Sequence, residues 1–508
     1  MEKKRYLALD LGAESGRVVL GVLENGRLSL SEEHRFITGP VSLPTKYPPH
    51  PGSSNLSDIS LVWDFARFWD EIKKGIRLAQ KKGVINSIGI DAWGVDFALL
   101  DKEGLMLSLP FHYRDQRTTG IMEEVFRKIP KEKIFEITGI QFMPLNTIFQ
   151  LFSLSSTHAP ILQVVDKILM VPDLINYWLT GKVVGEFTNV TTSQLYDSRS
   201  RNWSDEIISA LGLPKAIFPE IIPPGTKLGS LRQSLSEELD CHANVIAPAT
   251  HDTGSAVAAI PAKEEDFIWI SSGTWSIVGM NTKQPIINDA SFRNNFTNEG
   301  GLEGTFRFSK NVMGLWILQQ CKSQWNDAGL DYSYDDLTKI ADEAPHLKSF
   351  INPDCYEFLL PGEMIEKVKK YCQETQQQVP ETDGEVVRAV LQGLALRYRY
   401  VIEALERISG LKTSTIHIVG GGSKNRILNQ FTADAIGRRV YSGPVEATAI
   451  GNIIVQAMAN GDIDSWQDGV EIINHSFEIE EFIPGDQKLW NAAYSLFVNI
   501  QKRTKLAF

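Results

Sequence analysis

Apolar and polar residues recur along the chain with two periods, and the switches between them predict most of the elements. From Tyr6, YLALDLGAESGRVVLGVLENGRLSL gives an apolar run, a turn rich in Gly12, Ser15 and Gly16, a second apolar run and then Asn25-Gly26. Asn and Gly both tolerate positive φ, so this pair between alternating runs predicts a hairpin, and 5–31 reads as a β-meander. The stretch DFIWISSGTWSIVGM repeats that construction around Ser271-Ser272-Gly273-Thr274. In WDFARFWDEIKKGIRLAQKKG the period changes: Phe65, Phe68, Trp69, Ile72, Ile76 and Ala79 share one helical face, closed by Lys81, Lys82 and Gly83 as a left-handed cap. Apolar positions from Val387 to Ile408 trace a long helix ending at Gly410. The strand TIHIV, the triple glycine Gly420 to Gly422 and helical patterns on either side of RRVYSGP follow. The alternation predicts an α/β chain in two lobes, divided near residue 248 into 1–248 and 249–508. Residues 374–384 read as an exposed loop, and the tail beyond Gly461 is helical in pattern without a place on either lobe.

Length and charge narrow the function. At 508 residues and 43% apolar content the chain fills more than one core. A net charge of −11 argues against nucleic acid as a partner. No run approaches 18 apolar residues, and Asp10 interrupts the N-terminal one, so neither a membrane span nor a signal peptide is expected. The four cysteines, Cys241, Cys321, Cys355 and Cys372, are too scattered for a disulfide framework or a thiolate zinc site. The reading is a cytoplasmic protein, monomer or homodimer.

No Walker loop, GxGxxG, HExxH or GxSxG occurs. What remains is a Gly-containing turn between two strands, twice. Backbone N–H groups in such turns form anion-binding concavities, though each turn alone reads more readily as an ordinary hairpin. Asp10 at the end of the first strand either caps its turn or holds Mg²⁺ through water. In VIAPATHDTGSAVAA, Asp252 is either a helix N-cap or a carboxylate placed to take a proton. The triple glycine allows close approach of a flat ring or simply opens a helix. Trp93 either presents an aromatic surface to a ligand or belongs to the core.

The motifs DLGAESGR, IGIDAWGVDFALLD, YRDQRT, TGIQFMPLNT, PATHDTGSAVA, SSGTWS, TNEGG, KNVMGLWILQ, IHIVGGGSKN and GPVEATAIGN, in that order from Leu7 to Asn452, resemble the FGGY family of carbohydrate kinases. The resemblance implies a two-lobed actin-like ATPase (ribonuclease H-like) fold with the active site in the inter-lobe cleft. It implies transfer of phosphate from ATP, with Mg²⁺, to the 1-hydroxyl of a ketose. Carried over by motif, Ala13, Glu14, Ser15, Gly16 and Arg17 bind phosphate, and Thr274, Gln319 and Gly421 complete the ATP set. Gly94, His251, Asp252, Thr253 and Asn311 hold the sugar, Asp252 is the catalytic base and Asp10 the metal residue. Glu14 departs from the small polar residue frequent in relatives, and should face solvent, pair with Arg17 or approach the metal. Trp93-Gly94 fits a deoxy-ketose such as L-rhamnulose. Other ketoses, L-fuculose or L-xylulose, and a non-catalytic sugar-sensing or chaperone-like ATPase are the alternatives.

Overall fold

The computed structural model describes residues 3–44, 59–262, 264, 266–504 and 506. They divide into two compact units, each assembled from three separate segments. The first takes the described residues of Met1–Pro261, Thr282–Arg307 and Ala447–Ser476; the second takes Ala262–Asn281, Phe308–Glu446 and Phe477–Phe508.

In the first unit β1 (Lys4–Leu11), β2 (Ser15–Glu24) and β3 (Arg27–Ile37) form the expected antiparallel meander. Asn25 and Gly26 both hold positive φ between β2 and β3. After α1 (Phe65–Gln80), β4 (Ser87–Ala92) pairs parallel with β1. Then β5 (Thr226–Ser230) and β6 (Asn244–Ala247) complete a six-stranded sheet in the order β5-β6-β4-β1-β2-β3. Helix α1 starts at Asp64, whose carboxylate accepts the Arg67 N–H, and it buries Phe65, Phe68, Ile72, Ile76 and Ala79. At Gly75 it lies so close to the sheet that a Cβ would stand 2.3 Å from Val18. Gly83 is not its cap. Lys81 takes that position in right-handed geometry, and Gly83 holds φ +129° where a Cβ would meet the Arg5 guanidinium.

The division expected at residue 248 is displaced. Strand β6 hydrogen-bonds between β4 and β5 inside the first sheet, so the chain cannot leave that unit there. The helix that follows, α2 (Asp252–Ala258), packs against the helix Ala447–Asn460. A Cβ at Gly451 would lie 1.8 Å from the Ser255 carbonyl, so only glycine admits this contact. Asp252 thus belongs to the first unit, not to the start of the second.

The second unit repeats the plan. Strands β7 (Ile268–Ser272) and β8 (Trp275–Thr282) are the expected hairpin, β9 (Phe306–Met313) extends it, and helix α3 (Trp316–Asp327) follows. The long helix α4 (Asp383–Ser409) opens with a Thr382/Glu385 capping box and closes on Gly410 at φ +76°. Beyond it, β10 (Thr415–Val419) and β11 (Arg439–Ser442) add in parallel, giving the order β9-β8-β7-β10-β11, with helix α5 (Arg426–Ile436) between them in sequence. Each unit therefore carries an antiparallel meander joined to two parallel strands, the duplicated arrangement of actin-like ATPases. The tail divides: Trp466–Ser476 joins the first unit and Gln487–Gln501 the second. Among the described residues no helix is long and apolar enough to cross a membrane. All four cysteines are buried and free.

Candidate active site

Three strands of the first sheet end together and bring three carboxylates with them. Parallel pairing of β1 and β4 sets Asp10 opposite Asp91, and a bridge of Ala92 to His251 brings in the start of α2. The Ala92 N–H donates to the Thr250 carbonyl at 2.9 Å, fixing that junction. Asp91 is fully buried, and its carboxyl titrates well above the ordinary carboxylate range. Burial is the main cause, followed by the negative charge of Asp10, with Asp252 adding to it and a hydrogen bond from Asn452 opposing it. Asn452 Nδ2 donates to Asp91 Oδ2 at 2.6 Å; Asp91 Oδ1 has no partner among the described residues.

Asp10 ion-pairs with Arg17, its cross-strand neighbour on β2. Between them the turn is closed by the Gly12 N–H donating to the Ser15 carbonyl at 3.1 Å. Ala13 and Ser15 are partly exposed, while Gly16 is buried beneath Phe36, whose ring a Cβ would meet at 2.4 Å. Glu14 is exposed, and its backbone carbonyl accepts from the Thr38 N–H. Of the three roles open to its side chain, this exposure matches the solvent-facing one, and Arg17 pairs with Asp10.

Asp252 is the first residue of α2, with His251 in the cap position and making no side-chain cap bond. Its Oδ1 accepts the Thr253 backbone N–H at 2.6 Å and the Thr253 hydroxyl at 3.2 Å. Its side chain is 35% exposed, and Oδ2 accepts no hydrogen bond among the described residues. One oxygen is thus fixed and the other available. Behind it, His251 Nε2 lies 3.3 Å from Asp252 Oδ1, and Arg307 Nη2 lies 2.9 Å from His251 Nδ1. Glu299 Oε2 sits 3.1 Å from Arg307 Nη2. Glu186, fully buried, accepts from the backbone and hydroxyl of both Thr188 and Thr250, which holds the strand leading into His251.

Gly94 follows β4 and is partly exposed, but a Cβ there would meet Thr192 at 2.9 Å, so packing alone demands glycine. Val95 next to it holds φ +70°, a conformation that costs a β-branched residue about 1–3 kcal/mol. Its N–H donates to Thr192 Oγ1 and its carbonyl accepts from Thr147 Oγ1, which hold it there. Trp93 is only 6% exposed and lies 4.1 Å, ring to ring, from Trp63. The expected aromatic surface for a sugar gives way to a core residue. Both indole N–H groups donate to the buried Asp96, whose carboxyl burial pushes up to about 6 against the pull of these bonds and that of Gln150.

In the second unit Thr274 and Gln319 meet: Gln319 Nε2 donates to Thr274 Oγ1 at 3.2 Å. The hairpin turn is seated on the entry to α3, where Leu315 and Trp316 N–H groups donate to the Gly273 and Thr274 carbonyls. Gly314 permits this, since a Cβ would lie 2.6 Å from the Trp275 backbone. The triple glycine lies against the same turn. Cβ atoms at Gly420 and Gly422 would strike Ser272, while Gly421 is exposed with nothing within 4 Å of its missing side chain. Thr274, Gln319 and Gly421 are therefore gathered at one end of β7 and β10. Asn311, partly buried on β9, belongs to this unit, so the sugar set named from sequence is divided between the two.

Residues 5–259 match the N-terminal domain model of the FGGY family of carbohydrate kinases, and 268–460 match its C-terminal domain model. The chain belongs to the FGGY family of carbohydrate kinases. Among curated relatives of this FGGY chain, the rhamnulokinase of Oceanobacillus iheyensis is 44% identical over 93% of this chain and 97% of its own. That of Bacteroides thetaiotaomicron is 42% identical over 98% and 99%. Solved structures of the same fold include gluconate kinase from Lactobacillus acidophilus, with TM-score 0.79 at 16% identity over 99% of this chain and 98% of that one. Plasmodium falciparum glycerol kinase with ADP gives 0.77 at 15% identity, over 99% and 98%. As an FGGY kinase the chain is a phosphotransferase acting on a sugar, with ATP as co-substrate.

Sequence reasoning passed over Asp91, Asp96, Glu299 and Arg307. The available signal was a charge inside an apolar strand pattern, as in SIGIDA and FRFSK, since a buried charge requires a partner.

Proposed function

We propose that the chain transfers the γ-phosphoryl group of ATP to the 1-hydroxyl of L-rhamnulose, giving L-rhamnulose 1-phosphate and ADP, in the cytoplasm as part of L-rhamnose catabolism. The observation that carries this reading is the likeness, at about two-fifths identity and nearly end to end, to rhamnulokinases of separate bacteria. In the proposed step Asp252 Oδ2 accepts the proton of the sugar's 1-hydroxyl as the hydroxyl oxygen bonds the γ-phosphorus, and the bond from phosphorus to the β–γ bridging oxygen breaks to release ADP. Phosphoryl transfer needs positioning and charge neutralisation more than a strong base, so a carboxylate with one free oxygen suffices. Gly94, His251, Thr253 and Asn311 hold the sugar; Ala13 to Arg17, Thr274, Gln319 and Gly421 hold ATP.

Mg²⁺ fits the donors present. Among the described residues no three carboxylate, imidazole or thiol groups cage a metal directly. The unpartnered Asp91 oxygen beside the charges of Asp10 and Asp252 nevertheless suits a hard, hydrated cation. Asp10 would hold the ion through its waters, and the ion would neutralise phosphate charge.

ADP release from MgATP is the test, with L-rhamnulose, L-fuculose, L-xylulose, D-xylulose and D-fructose against a blank without sugar. Release with L-rhamnulose well above the others is expected. Preference for another ketose overturns the substrate, and release equal to the blank throughout overturns the activity.

A further inference from the structure

Arg307 is 1% exposed, and its guanidinium can only donate hydrogen bonds. It is held on two sides, by Nε donating to the Gly300 carbonyl at 2.8 Å and by the Glu299 carboxylate. Its Nη2 then points at His251 Nδ1, 2.9 Å away. A nitrogen facing a donor at that distance must present its lone pair. The imidazole proton is therefore on Nε2, the atom 3.3 Å from Asp252 Oδ1. The opposite tautomer would direct an Nδ1 hydrogen toward Glu299 Oε2, also 3.3 Å away. It would then crowd that hydrogen against Arg307 and turn a lone pair toward the Asp252 carboxylate. Neighbouring backbone fixes the ring's origin, since the His251 N–H donates to Thr188 Oγ1 at 3.1 Å.

We propose that Arg307 and Glu299 are positioning residues that select the Nε2–H tautomer of His251, so that the ring presents a proton and not a lone pair on the side of Asp252, 3.3 Å from Oδ1. This rests on the reading of Asp252 as the proton acceptor. Glu299 neutralises a guanidinium that would otherwise be buried unpaired. Arg307 passes the constraint to the imidazole, and the imidazole passes it to the base. None of the three need change charge during turnover.

The test begins with the unaltered protein, labelled with ¹⁵N in its histidine rings. The His251 signals are identified by their loss in His251→Gln. A bare Nδ1 and a protonated Nε2 are expected; a protonated Nδ1 overturns the proposal. In Arg307→Met the single tautomer should be lost and kcat with L-rhamnulose should fall roughly 10- to 100-fold, the usual loss on removing a group that orients a functional side chain, with the KM for ATP unchanged. A folded Arg307→Met protein with kcat within twofold of the original overturns it. Glu299→Gln, almost isosteric, serves if Arg307→Met does not fold: about a tenfold fall in kcat is expected, and full activity overturns the role. Failure of the underlying reaction shows separately, as an unaltered protein with no ketose turnover whatever its tautomer.

Discussion

The two hairpin turns share a backbone frame and differ in electrical character. At the head of the first sheet the turn is flanked by the Asp10–Arg17 ion pair, with Asp91 and Asp252 at the neighbouring strand ends. At the head of the second the corresponding turn is bound by hydroxyl, amide and backbone groups, Ser272, Thr274 and Gln319, and is flanked by glycines. Duplication of a fold does not duplicate its chemistry. The first copy concentrates charge at its strand ends; the second lines its turn with small and neutral groups.

Removing the working charge from the first unit should have the largest effect. Asp252→Asn should lower kcat by about 10²- to 10⁴-fold while ATP binding, followed by nucleotide titration, stays intact. Normal turnover would erase the distinction between a reacting and a binding unit. Exclusion of charge from the second sheet can be tested through His417 on β10, 4% exposed, with neither ring nitrogen partnered among the described residues and burial lowering its pKa to about 4. The folded state keeps the ring neutral while the unfolded chain protonates near 6.5, so its contribution to stability is lost as pH falls from 6.5 towards 4. Denaturant unfolding of His417→Phe at pH 7 and pH 5 should show a smaller acid penalty than the unaltered protein, by about 2 kcal/mol. An equal penalty in both would show that the ring is not kept neutral. The smallest change is expected for Thr274→Val, which removes the acceptor for Gln319. The KM for ATP should rise about 2- to 10-fold, as for one lost neutral hydrogen bond, with kcat nearly unchanged. A collapse in kcat would place reacting groups in the second unit too.

Much of this was legible in sequence because it is local. Asn25-Gly26 requires positive φ, and the periodic face from Val387 to Ile408 ends on a glycine that forms the cap. The two hairpins follow from the same short-range rules. What failed is long-range. Nothing near residue 282 or 447 announces a return to the first unit, because the partners of those segments lie hundreds of residues away. Trp93 reads as a platform until Trp63 is known to cover it and Asp96 to hold its indole N–H. In the Glu299–Arg307–His251 row the first two are near neighbours in sequence, but His251 lies 56 residues before Arg307 and no spacing joins it to them.

The return of the chain to its first unit has a consequence for synthesis on the ribosome. Asn452, whose amide meets the buried Asp91 carboxyl, is made 361 residues after it. At roughly 5–20 residues per second the wait is about 20–70 s. Throughout that interval the nascent sheet carries a carboxyl without its amide and a face without the helix Ala447–Asn460. The first unit, begun first, therefore stays open until its last segment, Ala447–Ser476, is made, with only Phe477–Phe508 of the second unit still to follow. Holding chaperones matter most over that long interval.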